Sequence, residues 1–289
     1  SKFRELVQLS GCTTTERTAA MLSLTAFHDC MKVEELIPRV QQEHAPYMGY
    51  QGGDQILDHD IALSYVLEFF PDLIPSFAWL PAASRKSILF TQGKMQFNHG
   101  WFVQAEAPPG AMLATFKKEL KKASDGDIAF YFFHWFTDLA GAEGTPLGGA
   151  EKFVLKFPHH VLNSFLWSVP FLKNLEDKSE CEVAESYLEA RWNQRFPEEI
   201  VPTGPTAIAI LRLAMMAQVG ADEAVRCFHA LSNSAKETLG REMAVTGLAK
   251  QRYQRSPVIE GGPAFLVYYG PALVQLAKGD ELKLMLSIR

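Results

Sequence analysis

Residues 19–36, AAMLSLTAFHDCMKVEEL, form an apolar helical run that closes on His28-Asp29, with Lys32 one turn later. Ala19, Leu22, Leu24 and Phe27 fill a broad apolar face at helical spacing. Upstream, Thr13-Thr14-Thr15-Glu16 is a helix-start signal, with Thr13 capping and Glu16 reaching back. Pro38 sets the latest point at which this helix can end. A histidine and an aspartate side by side at the polar end of a buried helix suit a two-ligand claw for a divalent metal. A plain helix end, with Asp29 meeting Lys32 or a backbone amide, is the competing reading.

The same periodicity continues outward. A glycine-rich loop over 43–54, of the kind often functional in compact domains, leads to a helix from Gln55 or Asp58 to Phe70, stopped by Pro71. This helix carries His59 in its first turn, flanked by Asp58 and Asp60, where carboxylates complement the helix dipole. Ser84 caps an expected helix to about residue 107 that carries His99, and a further helix spans 111–122. The run IAFYFFHWFTDL, capped by Asp125, is apolar nearly all round and is expected to be central. It holds His134, read as a core histidine bonded to a carbonyl, and Asp138 one turn on. Helical patterns follow over 151–156, 160–172, 180–193, 206–219, 221–231, 235–254 and 263–277, and almost no stretch alternates with period two. The fold class is therefore all-α. The proline-rich segment from Phe196 to Pro205 divides the chain into a domain over 1–196 and a C-terminal helical lobe over 197–289.

Composition narrows the function classes. A chain of 289 residues that is 47% hydrophobic can bury a large core. A net charge of −5 argues against a nucleic-acid surface. No apolar stretch reaches the roughly 18 residues that span a bilayer, and no signal peptide is evident. Cys12, Cys30, Cys181 and Cys227 form no C-x-x-C pair, which reads as a reducing intracellular compartment, cytoplasmic or organellar. Ser1 in place of a methionine reads as a trimmed N-terminus. G-x-S-x-G, P-loop and H-E-x-x-H motifs are missing from the sequence. His159-His160 reads as a surface pair, and the aromatic stretch PAFLVYYGPALVQLA as core or an oligomer interface.

The order His28-Asp29, His59, His99, Asp138, with LTAFHDCMK as its closest local match, resembles the HD superfamily of metal-dependent phosphohydrolases. The resemblance covers residues 1 to about 145. It implies a multi-helix HD-like bundle and a site for one or two divalent ions (Fe, Mn, Zn or Mg) held by His28, Asp29, His59, His99 and Asp138. Asp29 and Lys32 would be catalytic, and the substrate a phosphate ester or nucleotide. Imidazole and carboxylate suit such ions, and two ions about 3.5–4 Å apart can clamp a phosphate. Asp58, Asp60 and Glu106 are available to hold the second ring nitrogens. Members of the family carry another histidine upstream of the His-Asp pair, and none precedes His28. Two other expectations stand beside the hydrolase. One is a degenerate HD-like domain serving as a helical scaffold or subunit, with a protein partner or a second copy. The other is a di-iron oxygenase.

Overall fold

The computed structural model describes residues 2–95, 97, 99–103, 105, 109–141, 159–217 and 220–245. The expected helices over 151–156 and 263–277, the end of the one over 235–254, Glu106, and the aromatic stretch from Pro263 lie outside the described residues.

The fold is all-α. In chain order the helices are α1 (Lys2–Leu9), α2 (Thr15–Phe27), α3 (His59–Phe69), α4 (Pro75–Ala78), α5 (Ala82–Leu89), α6 (His99–Val103), α7 (Pro109–Leu120), α8 (Asp125–Gly141), α9 (His159–Lys173), α10 (Glu180–Arg195), α11 (Ala207–Met216), α12 (Ala221–Ala230) and α13 (Asn233–Val245). No strand occurs among the described residues; the only β-type pairings there are isolated bridges, Arg39 with Gln55 and Tyr47 with Tyr50. No described helix is long and apolar enough to cross a membrane.

The chain forms two compact units. One lies within Ser1–Phe97 and Thr115–Trp167, the other within Asn98–Ala114 and Ser168–Arg252, so the divisions fall inside α7 and α9. In the first unit α2 packs on α5 and α8, and α1 on α8. Leu24, Ile56, Leu63, Ile88 and Phe130 are fully buried at its centre. The guanidinium of Arg17 spans this packing: its Nη1 donates to Ser87 Oγ at 2.6 Å, and its carbon lies 4.4 Å from the Phe130 ring centre.

Three sequence expectations are corrected by local chemistry. Thr14, not Thr13, caps α2, its hydroxyl accepting from the Arg17 amide. The helix stops at Phe27 rather than running toward Pro38, and 3₁₀ turns follow over Cys30–Lys32 and Glu34–Leu36. Asp29, at φ −98° and ψ 2°, leaves the helical ladder with its carboxylate on Lys32 Nζ at 2.6 Å, and Val33 is extended. The helix expected from Ser84 to residue 107 breaks: α5 ends at Leu89 and passes into a π turn over Phe90–Lys94.

The loop between α2 and α3 closes on itself. The Ile56 amide donates to Pro38 O at 3.1 Å, the Val40 amide to Asp54 O at 3.0 Å, and the Gly53 amide to Val40 O at 2.7 Å. Gly53 sits at φ +90°, a conformation that only glycine adopts without strain. The loop is thus tied down at its base, and the Cys30–Lys32 turn packs on α3. That packing sets the relation between Asp29 and the start of α3.

In the second unit Ile210, Leu211, Trp192, Phe228 and Met243 form the core. Arg212 is buried there, its guanidinium donating to the carbonyls of Ala105 (2.9 Å from Nε) and Met243. The proline-rich link over 196–206 joins α10 to α11 inside this unit.

Candidate metal centre

The last turn of α2 leaves carbonyls without helical partners. The His28 amide takes Leu24 O at 2.8 Å, and the His28 ring takes the next one, lying with Nδ1 2.8 Å from Thr25 O. A carbonyl only accepts, so Nδ1 is the protonated nitrogen and the lone pair belongs to Nε2. Nε2 in turn faces two carboxylates: Asp138 Oδ1 at 2.9 Å and Asp29 Oδ1 at 3.5 Å. A lone pair aimed at two anions is repulsive. In the absence of a cation the nitrogen must hold a proton. Burial opposes charge on His28. The hydrogen bond and charge of Asp138, the Thr25 carbonyl and Asp29 together outweigh it, so the pKa lies above the ordinary histidine value. Burial likewise disfavours a charged Asp138, yet His28, His134 and Lys32 hold its carboxyl below the usual range.

Asp138 reaches this position from α8, one turn after His134. Its register against α2 is fixed by a pair of hydroxyls, Thr25 Oγ1 and Thr137 Oγ1, 3.2 Å apart. Thr137 Oγ1 also lies 2.8 Å from the His134 carbonyl oxygen. Lys32 binds the outer oxygen of Asp29, leaving Oδ1 turned to His28.

His59 comes from the first turn of α3. Its Nε2 lies 3.7 Å from Asp29 Oδ1 and 3.6 Å from Asp60 Oδ1. Asp58 caps the helix, its Oδ1 accepting from the Asp60 amide at 3.0 Å and the Ile61 amide at 3.1 Å. Gln92, from the π turn, donates to Asp60 Oδ1 at 2.6 Å. Two groups of metal-competent atoms result, each within a 4.8 Å span: His28, Asp29 and Asp138, and Asp58, His59 and Asp60. In the second group Asp58 is already committed to the helix start. The first group is the better cation site: its nitrogen and oxygens face one another, and none of them is committed to a helix start. Its side chains are 15% (His28), 43% (Asp29) and 39% (Asp138) exposed, which leaves a cation and a small substrate a route in from solvent.

Four of the five residues expected as ligands therefore come together in the first unit: His28, Asp29, His59 and Asp138. The fifth does not join them. His99 belongs to the second unit, fully buried, with Nε2 2.6 Å from Ser168 Oγ. Burial pushes its pKa down to about 3, so it is a neutral core histidine. The sequence reading missed His134 as a neighbour of the centre. Its ring lies edge-on to that of His28, with centres 5.1 Å apart. The available signal was the four-residue spacing from His134 to Asp138, which puts both on one helix face.

A family model described as "Family of unknown function (DUF6829)" matches residues 1–283 of the chain. No curated protein and no solved structure matches it.

Proposed function

The chain belongs to that family, whose description names no activity, and from the site itself we propose that it is a divalent-metal-dependent phosphohydrolase acting on a phosphate ester or nucleotide. The observation that supports this best is the tautomer lock on His28. The Thr25 carbonyl holds the ring so that Nε2 and two carboxylates converge on one point, an arrangement a cation satisfies better than a proton. His28, Asp29 and Asp138 would hold the ion, and His59 would hold a second beside Asp29. When bound, such an ion polarises a phosphoryl oxygen and acidifies a coordinated water.

The protein's own part is positional and electrostatic. Lys32 is 57% exposed at the edge of the centre, where its ammonium can meet an incoming phosphate while keeping Asp29 oriented. The Thr25–Thr137 contact holds the two helix segments that carry His28 and Asp138. All four cysteines are free, in keeping with a reducing intracellular compartment.

The test is metal content followed by turnover. Purified protein is assayed by plasma mass spectrometry before and after chelation, and then against p-nitrophenyl phosphate, bis-p-nitrophenyl phosphate and a nucleotide panel with Mn, Zn, Fe or Mg added. Near-stoichiometric metal and chelator-sensitive phosphate release, both lost in His28→Ala and Asp29→Ala, is the expected result. Retained iron with oxygen-dependent turnover would favour the di-iron oxygenase instead. A folded protein that neither binds these ions nor turns over any ester would favour the helical scaffold.

A further inference from the structure

We propose that Gln92 is the positioning residue of the second cation position: it fixes the Asp60 carboxylate toward His59, so that His59 and its two flanking carboxylates, Asp29 and Asp60, face one ion. The inference rests on the metal reading above and adds a residue that touches neither ion nor substrate.

The first observation is the bond itself. Gln92 is buried, and its Nε2 donates to Asp60 Oδ1 at 2.6 Å. The same oxygen lies 3.6 Å from His59 Nε2, and that nitrogen lies 3.7 Å from Asp29 Oδ1. The Asp60 side chain is 56% exposed, so water alone would satisfy its carboxylate and leave it free to turn. A buried amide that reaches it selects one orientation, the one facing His59. The amide is neutral, so Asp60 keeps its full charge for a cation. A carboxylate oxygen has two lone pairs, and Gln92 uses one of those on Oδ1. Hydrogen bonds of this kind orient the carboxylates around a metal ion.

The second observation is how the amide is delivered. The π turn over Phe90–Lys94 is closed by the Met95 amide on Phe90 O at 3.2 Å. Turns of this kind are rare and gather at functional sites. Asp60 and Ser64 stand four residues apart on α3 and share a face. The π turn meets that face at two points, Gln92 on Asp60 and Gly93 on Ser64. Gly93 lacks the Cβ that would collide with Ser64 Oγ, and Ser64 is itself held by the Tyr47 hydroxyl at 3.0 Å. The close approach of Gly93 therefore sets the register in which Gln92 reaches Asp60.

The experiment titrates the full chain, stripped by chelator, with Zn2+ followed by calorimetry and with Mn2+ followed by electron paramagnetic resonance. Wild type is compared with Gln92→Leu and Gln92→Met, which keep the bulk and remove the donor. His99→Phe, altered in the other unit, controls for lost stability alone. Expected are two ions per wild-type chain and a spin-coupled Mn2+ pair. In a folded Gln92 variant the first binding event should stay within about twofold, and the second should weaken about 10–100-fold with loss of the coupled signal. Unchanged second-ion affinity would overturn the role of Gln92 and leave the metal centre standing. So would equal weakening of both events, an equal loss in His99→Phe, or failure of both Gln92 variants to fold, each of which marks a structural part only. Wild type that takes one ion would overturn the second position alone, and wild type that takes none would overturn the metal reading as well.

Discussion

His28 Nε2 and Asp138 Oδ1 meet at 2.9 Å across 110 residues of chain, one at the end of α2 and the other near the end of α8. The pair is tied to protonation, so Asp138→Asn tests it by pH. The Asp138 hydrogen bond and charge help lift the His28 pKa above its unfolded value against burial. A group raised in this way contributes stability that is fully present below the unfolded value of about 6.5 and is lost as pH rises through the folded one. In metal-free protein, the stability gap between wild type and Asp138→Asn should be widest near pH 6 and narrow toward pH 8. Urea melts at the two pH values read it directly; a gap that widens with pH would contradict the pairing. Added Zn2+ or Mn2+ should bind the variant about tenfold or more weakly.

Lys32→Ala separates the role of Lys32 in the site from any role in the fold. The Lys32–Asp29 pair is largely exposed, at 57% and 43%. Exposed pairs contribute roughly 0.2–1 kcal/mol, so the melting temperature should move by no more than a few degrees and the metal content should stay. If Lys32 meets the phosphate, kcat/KM on a phosphate ester should fall about tenfold or more, with partial recovery in Lys32→Arg. Equal loss of stability and activity would instead mark Lys32 as a structural brace for Asp29.

Helix existence was legible in the sequence and long-range assembly was not. Pro71 stops α3 as expected, and of the two starts the pattern left open, Gln55 and Asp58, the chain takes the second, with Asp58 as its cap. The end of α2 was not legible, because the chain leaves the ladder after His28 with no glycine or proline there to mark the stop. His28-Asp29 stood out by adjacency alone. That His59 joins them depends on the Cys30–Lys32 turn packing on α3, which no pattern within either segment encodes. Residue type and order put His99 on the same footing as His59; only the three-dimensional contacts separate them, giving His99 to Ser168 in the second unit. His134 was hidden by its own surroundings, since an aromatic run reads as core whether or not one of its members faces a site.

Gly93→Ala tests the close approach of the π turn to α3. A Cβ at Gly93 would collide with Ser64 Oγ and come within 3.0 Å of Ser64 Cβ. Ser64 is buried and accepts the Tyr47 hydroxyl at 3.0 Å, so it cannot swing aside without breaking that bond. Overpacking of this kind costs about 1–3 kcal/mol. The unfolding free energy from urea melts should fall by that amount, and cation affinity should weaken as well, because Gln92 beside the new methyl holds Asp60 next to His59. A variant as stable as wild type would mean that the turn has room the static packing does not show.

His99 gives an acid-stability prediction independent of any metal. It is 2% exposed, bonded to Ser168, and held by burial at a pKa of about 3. The unfolded chain binds a proton at this residue below about pH 6.5, whereas the folded chain does not until about pH 3. Between those values the unfolded state holds more protons, so folding stability falls with falling pH by up to about 1.4 kcal/mol per pH unit from this one group. His99→Phe removes the titration while keeping an aromatic ring in the core, at the cost of leaving the Ser168 hydroxyl without this partner. The variant should therefore be less stable than wild type at pH 7.5, with the deficit shrinking or reversing by pH 4.5. Chemical denaturation across that range measures both slopes, and parallel slopes would show that His99 is charged, or already reached by water, in the folded protein.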